Sequence, residues 1–175
     1  MTGIDRYRPF ALTIVAAMLA ALLAACSSSP PAPVEERAVD VDTRVREPAR
    51  ETSEGVQVFP LKNPAVAQLM EDASRAEVAG DLDQAAVLLE RALRIQPRDP
   101  ELLQQMAETQ LARGEYEQAL GFAVRSYDTG PRVGEVCARN WNTISVARER
   151  LGDGDGAREA MDRSGQCTVT RPQGL

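Results

Sequence analysis

The chain has 175 residues, 20 of them basic and 26 acidic, giving a net charge of −6, and it contains no histidine. An acidic chain without a basic cluster is a poor ligand for nucleic acid or anionic lipid. The missing imidazole removes the commonest metal ligand and the commonest general base at neutral pH.

At the N-terminus, Arg6 and Arg8 precede Phe10 to Leu23, a run of fourteen uncharged residues. That is the length of a signal-peptide apolar region and falls short of the roughly 20 residues a helix needs to cross a bilayer core of about 30 Å. The run ends in Leu23-Ala24-Ala25-Cys26, which resembles the lipobox of bacterial lipoproteins. The resemblance implies a signal peptide over residues 1–25, cleavage before Cys26 and lipidation of its thiol. Each buried methylene of the acyl chains would contribute about 0.8 kcal/mol to anchoring. An ordinary secretory signal or an uncleaved N-terminal anchor is the alternative reading of the same residues. Ser27, Ser28 and Ser29 follow, with no Asp behind the cysteine. In lipoproteins of this kind an Asp there retains the protein at the inner membrane, so the implied location is the outer membrane, facing the periplasm. The mature part loses Arg6, Arg8 and Asp5, which takes the net charge from −6 to −7.

Residues 26–62 read as a disordered linker. The stretch opens SSSPPAPVEE and continues with interleaved acids and arginines, with too little apolar surface to offset the entropy of ordering. Val56, Val58 and Phe59 are an apolar exception, read as a loose lead-in to the first helix or, alternatively, a short docking strand. The 36 residues from Ser27 to Lys62 would reach about 120 Å fully extended.

From Asn63 the composition turns to Ala, Leu, Glu, Arg and Gln at helical spacing, and the chain repeats itself. Gly80-Asp81-Leu82-Asp83-Gln84-Ala85 recurs 34 residues later as Gly114-Glu115-Tyr116-Glu117-Gln118-Ala119. Leu69 and Leu103, Ala73 and Ala107, and Pro97 and Pro131 share that offset. A third copy, Gly152-Asp153-Gly154-Asp155-Gly156-Ala157, follows after 38 residues. Four extra residues near Val133 to Val136 would put Trp141 in the place of Leu69 and Leu103.

This pattern resembles the tetratricopeptide repeat (TPR): a large apolar residue, small residues, a Gly turn, Ala, a bulky residue, Ala and a closing Pro. The roles fall to Leu69, Ala73, Gly80, Ala85, Leu89, Ala92 and Pro97 in the first repeat. They fall to Leu103, Ala107, Gly114, Ala119, Ala123, Ser126 and Pro131 in the second, and to Trp141, Ser145, Gly152, Ala157, Met161 and Ser164 in a degenerate third. The expected fold is all-α, a short solenoid of three helix-turn-helix repeats at about 66–99, 100–133 and 138–167. Together they make a domain over residues 63–167, followed by a flexible tail over 168–175. Asn63-Pro64 and Asp99-Pro100 are expected helix starts, each with an N-cap before a proline. One helix pair cannot bury its apolar face alone, so stacking supplies the core.

In that arrangement Cys137 lies in the first turn of the third repeat's first helix and Cys167 just past the end of its second. An antiparallel hairpin makes those places adjacent, and an oxidising compartment makes a disulfide the expected state. Asp153-Gly154-Asp155-Gly156 looks like a calcium-loop fragment, but its acids hold the inter-helix turn places of Asp81 and Asp83, and the distal bidentate Glu of such a loop is missing. No nucleophile elbow, phosphate loop or zinc signature occurs, so neither a catalytic residue, a cofactor nor a metal is expected.

The resemblance implies a concave groove lined by the first helix of each pair. Its lining would be Met70, Ser74, Glu77, Gln104, Glu108, Leu111, Arg139, Asn142 and Arg150, joined by Ala67, Val78, Glu101, Ala112, Val146 and Glu149. Tyr116 and Tyr127 are the candidates if the second-helix surface binds instead. Signal, tether and small TPR domain together resemble the LpoP-type outer-membrane lipoproteins. That likeness implies a protein partner, a bifunctional class A penicillin-binding protein of the inner membrane, whose peptidoglycan synthesis the domain would activate. A pilotin for a secretin and an adaptor for a periplasmic protease share the same plan.

Overall fold

Helices start here where a short polar side chain accepts from an otherwise orphaned backbone N–H. Asn63 accepts from the amide of Ala65, Asp81 from Gln84, Asp99 from Leu102 and Asp153 from Gly156. Pro64 and Pro100 fill the first helical positions, where a missing N–H costs nothing. The computed structural model describes residues 38–51 and 61–168. Over these residues the chain forms α1 (Glu47–Glu51), α2 (Pro64–Val78), α3 (Leu82–Ile95), α4 (Pro100–Ala112), α5 (Tyr116–Thr129), α6 (Gly134–Arg150) and α7 (Gly154–Gly165). A π-helical turn over Asp42–Arg46 leads into α1.

The pairs α2–α3, α4–α5 and α6–α7 are the three repeats. Gly80, Gly114 and Gly152 close the first helix of each pair at φ of 79°, 81° and 84°, a left-handed conformation that a Cβ penalises. The small residues of the repeat pattern sit where helices cross: Ala73, Ala85, Ala92, Ala107, Ala119 and Ala123 are fully buried. Around them Val66, Leu89, Leu102 and Met106 fill the first interface, and Ile144 with Ala160 the last. Ser126 replaces one alanine and donates to the carbonyl of Pro100 at 2.6 Å, so its hydroxyl is satisfied inside the core.

The third repeat departs from the others in one respect. Helix α6 has 17 residues where α4 has 13, so the four-residue insertion is one additional turn at its start. That turn carries Cys137, which is disulfide-bonded to Cys167 with the Cα atoms 5.7 Å apart. Alongside, the amide of Gly134 donates to the carbonyl of Cys167 at 2.6 Å. The expected pairing is present, and it pins the last helix of a short array.

Residues 38–51 differ from the expectation of a disordered linker. Asp40 accepts from both the amide and the hydroxyl of Thr43, at 3.2 and 2.8 Å, and the helical segment that follows lies on the TPR domain. Val39, Val45 and Ala49 are 6, 0 and 0% exposed. Val39 and Val45 pack with Leu111, Tyr116, Val146 and Ala147, and Ala49 packs with Cys137 and Ala138. The composition argument fails because it weighs only apolar surface within the segment, whereas the surface that orders it belongs to α4, α5 and α6. The signal peptide, Cys26, the apolar group Val56, Val58 and Phe59, and the tail beyond Thr168 lie outside the described residues. Among the described residues no helix is long and apolar enough to cross a membrane.

The disulfide closes a separation of 30 residues, for which the chain-entropy estimate is about 3–4 kcal/mol. Reduction, or Cys167→Ser, is expected to lower the unfolding free energy by about that amount. Urea titrations with and without reductant measure it, and coincident curves would contradict it.

Candidate protein-interaction groove

The register of the repeats turns one face of α2, α4 and α6 toward a common groove, and its centre is a carboxylate. Glu108, on α4, has a side chain with 0% exposure. Arg139 of α6 grips it in a fork, Nε to one oxygen and Nη2 to the other, both at 2.7 Å. Gln104 donates to the first oxygen at 2.9 Å. Arg46, from the π-helical turn, donates to the second at 2.8 Å. Arg46 also reaches Glu77 of α2 at 3.1 Å, and Glu77 accepts from Thr109 at 2.6 Å. The chain Glu77–Arg46–Glu108–Arg139 therefore ties all three repeats and the N-terminal segment together.

Burial alone would push the Glu108 carboxyl up, but the charge and hydrogen bonds of Arg139, with Arg46 and Gln104, hold it below the usual carboxylate range. Arg139 and Arg46 are both raised: burial opposes their charge, and Glu108 outweighs it.

The expected groove residues have distinct fates. Glu77, Glu108 and Arg139 form the ion-pair chain. Asn142 is buried and donates to the carbonyl of Val45 at 3.1 Å, while Leu111 and Val146 are core partners of Val45. Gln104 is buried and also donates to Thr143 at 2.9 Å. Glu149 pairs with Arg44 at 2.5 Å. Met70 and Ser74 line a cavity of about 650 Å³ left between α2, α4 and the segment, together with Val78, Gln105 and Glu101. The guanidinium of Arg150 lies 5.9 Å from the Tyr116 ring.

The groove is thus where the repeat register puts it, but much of it is not an open surface, because residues 38–51 fill it. Tyr116 is buried and Tyr127 packs edge-on against Trp141 at 4.7 Å, so neither is an exposed anchor on the second-helix side. Asp153 is the N-cap of α7 and Asp155 lies in its first turn. Among the described residues no group of His, Cys, Asp and Glu could hold a metal ion.

Sequence reasoning missed Arg44 and Arg46 by reading them as solvated linker charges. A signal was present: Val41, Val45 and Ala49 recur every fourth residue, a single helical stripe. Gln105 was missed as well; it spans two repeats by donating to Ser74 Oγ at 2.9 Å and to the carbonyl of Met70 at 3.2 Å.

Glu108→Gln removes the charge that compensates Arg139 and is expected to cost about 3–5 kcal/mol of stability. Because the folded-state pKa of Glu108 is lowered, its contribution is complete above the ordinary glutamate value of about 4.3 and is lost as pH falls through the folded value. Melts from pH 7 to pH 3 should show an acid-side loss of stability that the Gln variant lacks in part. Equal stability at pH 7, or an unchanged acid limb, would contradict the assignment.

Comparison with known proteins agrees with this architecture. The tetratricopeptide-repeat family profile matches residues 79–124. The globular C-terminal domain of LpoP from P. aeruginosa superposes with a TM-score of 0.56 at 35% identity, covering 59% of this chain and 98% of that one. The Sgt2 TPR domain from Aspergillus fumigatus, at 24% identity and a TM-score of 0.55, covers 61% of this chain and 71% of its own and shares the fold. No match was found among curated proteins. On the strength of the 35% identity across almost the whole of that domain, the chain belongs to the TPR proteins of the LpoP type.

Proposed function

We propose that this protein is a lipid-anchored periplasmic activator of a class A penicillin-binding protein, acting from the outer membrane through its TPR domain. The observation that carries the reading is the 35% identity over 98% of the LpoP C-terminal domain. The lipobox ending in Cys26 and the absence of Asp behind it support the anchor and its membrane.

The domain is suited to act as a rigid contact. Its helices are tied across repeats by the Glu108 network and at the end by the Cys137–Cys167 disulfide, so binding would lose little ordering entropy in the domain itself. The function of such a module is to hold a partner's segment in a geometry the partner does not adopt alone. Activation would follow from preferential binding of the partner's active conformation, by as much as the difference in affinity between its two states.

Residues 27–175, purified without acyl chains, are expected to bind the class A synthase of the same organism and to raise its glycan polymerisation from lipid-linked precursor. Binding without stimulation would reduce the role to docking, and neither would leave a secretin or a protease as the partner to seek. For the anchor, Cys26→Ser is expected to accumulate as unprocessed precursor that incorporates no labelled palmitate. A processed, acylated Ser variant would contradict it.

A further inference from the structure

The segment that fills the groove differs in kind from the helices around it. The helical stretch Asp42–Glu51 is ten residues long, and an isolated helix of that length is marginal in water, so its order comes from the surface it lies on. The contact is complementary in charge and in shape. Two arginines, Arg44 and Arg46, meet three acids of the groove, Glu149, Glu77 and Glu108. Between them the apolar stripe presents Val45 and Ala49, both at 0% exposure.

The docking is also imperfect. Asn142 donates to the carbonyl of Val45 in the segment, but its Oδ1 is buried without a hydrogen-bond partner, and an acceptor left in that state costs free energy. Removing the segment would not orphan the groove's central charge, because Glu108 keeps the two hydrogen bonds from Arg139 and the one from Gln104. The 650 Å³ cavity beside Arg46 already opens the neighbouring part of the groove.

We infer that residues 38–51 are a resident, exchangeable ligand of the groove, and that the groove is a receptor for a short helix presenting an arginine to Glu108 and small apolar residues to Leu111, Val146 and Ala138. The inference rests on the reading of the domain as an interaction module and names the regulation of that site. The chain's own segment guards the groove, and a partner helix of the same chemistry enters by displacing it. Nine residues, 52–60, separate the segment from the domain in sequence, so self-occupancy is intramolecular and a competitor must overcome that advantage.

The test needs no change to the groove. In residues 27–175, a protease site is inserted between residues 52 and 60; after cutting, the N-terminal piece is removed by dilution and gel filtration. The probe is a fluorescein-labelled synthetic peptide of residues 38–51. The cut domain should bind it at least tenfold more tightly than the uncut chain does, and the peptides with Arg46→Ala or Val45→Asp should each lose at least tenfold.

Equal binding by all three peptides would overturn the inference. So would a cut domain that fails to bind the peptide, that unfolds once the segment leaves, or that never exchanges its segment for excess labelled peptide. Circular dichroism distinguishes unfolding from simple failure to bind. No synthase enters the experiment. Loss of synthase binding with intact peptide exchange would therefore remove the function proposed above and leave the guarded groove standing, and the reverse result would do the opposite.

Discussion

A carboxylate with no exposure must be met by cations, and that requirement at Glu108 fixes where three separate parts of the chain lie. Arg139 comes from the third repeat and grips both carboxylate oxygens, and Arg46 comes from the N-terminal segment and adds a bond to one of them. Helical repeats ordinarily touch only their neighbours. Here Arg46 spans from Glu108 in the second repeat to Glu77 in the first, while Arg139 brings the third to the same carboxylate. The array behaves as one unit because its polar centre is shared.

Three repeats are close to the least that a solenoid can bury a core with, and the alanines that let the helices approach contribute little apolar area of their own. Two devices compensate at the third repeat. The extra turn of α6 brings Cys137 to Cys167, and the N-terminal segment covers Val146, Ala147 and Ala138, which an open groove would expose. The second device has a cost that the first lacks, since the surface it covers is the one the repeat architecture offers to other proteins.

The repeat architecture was legible in the sequence because it is written in residues that admit few alternatives. A glycine recurring where the backbone must adopt a positive φ, alanines at crossings and Asn-Pro or Asp-Pro at helix starts each carry their own physical reason, and all share one period. The cysteine pairing was legible because the hairpin geometry leaves the two positions side by side. What the sequence hid was residues 38–51. Their arginines look solvated until Glu77, Glu108 and Glu149 are placed opposite them, and that placement exists only in three dimensions. The stripe of Val41, Val45 and Ala49 was visible, but ten residues of helix earn stability only from a partner surface. For the same reason the accessibility of the expected groove residues was not legible: Leu111, Asn142 and Val146 are buried against residues 38–51 of the chain itself.

Docking of residues 38–51 also sets a length. On the lipid-anchored reading, and with the segment released, 36 residues from Ser27 to Lys62 would separate the acylated end from the first repeat, about 120 Å at full extension. With the segment seated on α6, only the eleven residues from Ser27 to Arg37 separate the acylated end from the folded body, about 40 Å at most. On that reading the segment would work as a reel: wound in, it would hold the domain close to its membrane, and let out, it would triple the radius of the volume the domain can sweep. Occupancy of the groove and distance travelled across the periplasm would be one variable, so a partner that unseats the segment would lengthen the leash by the act of binding.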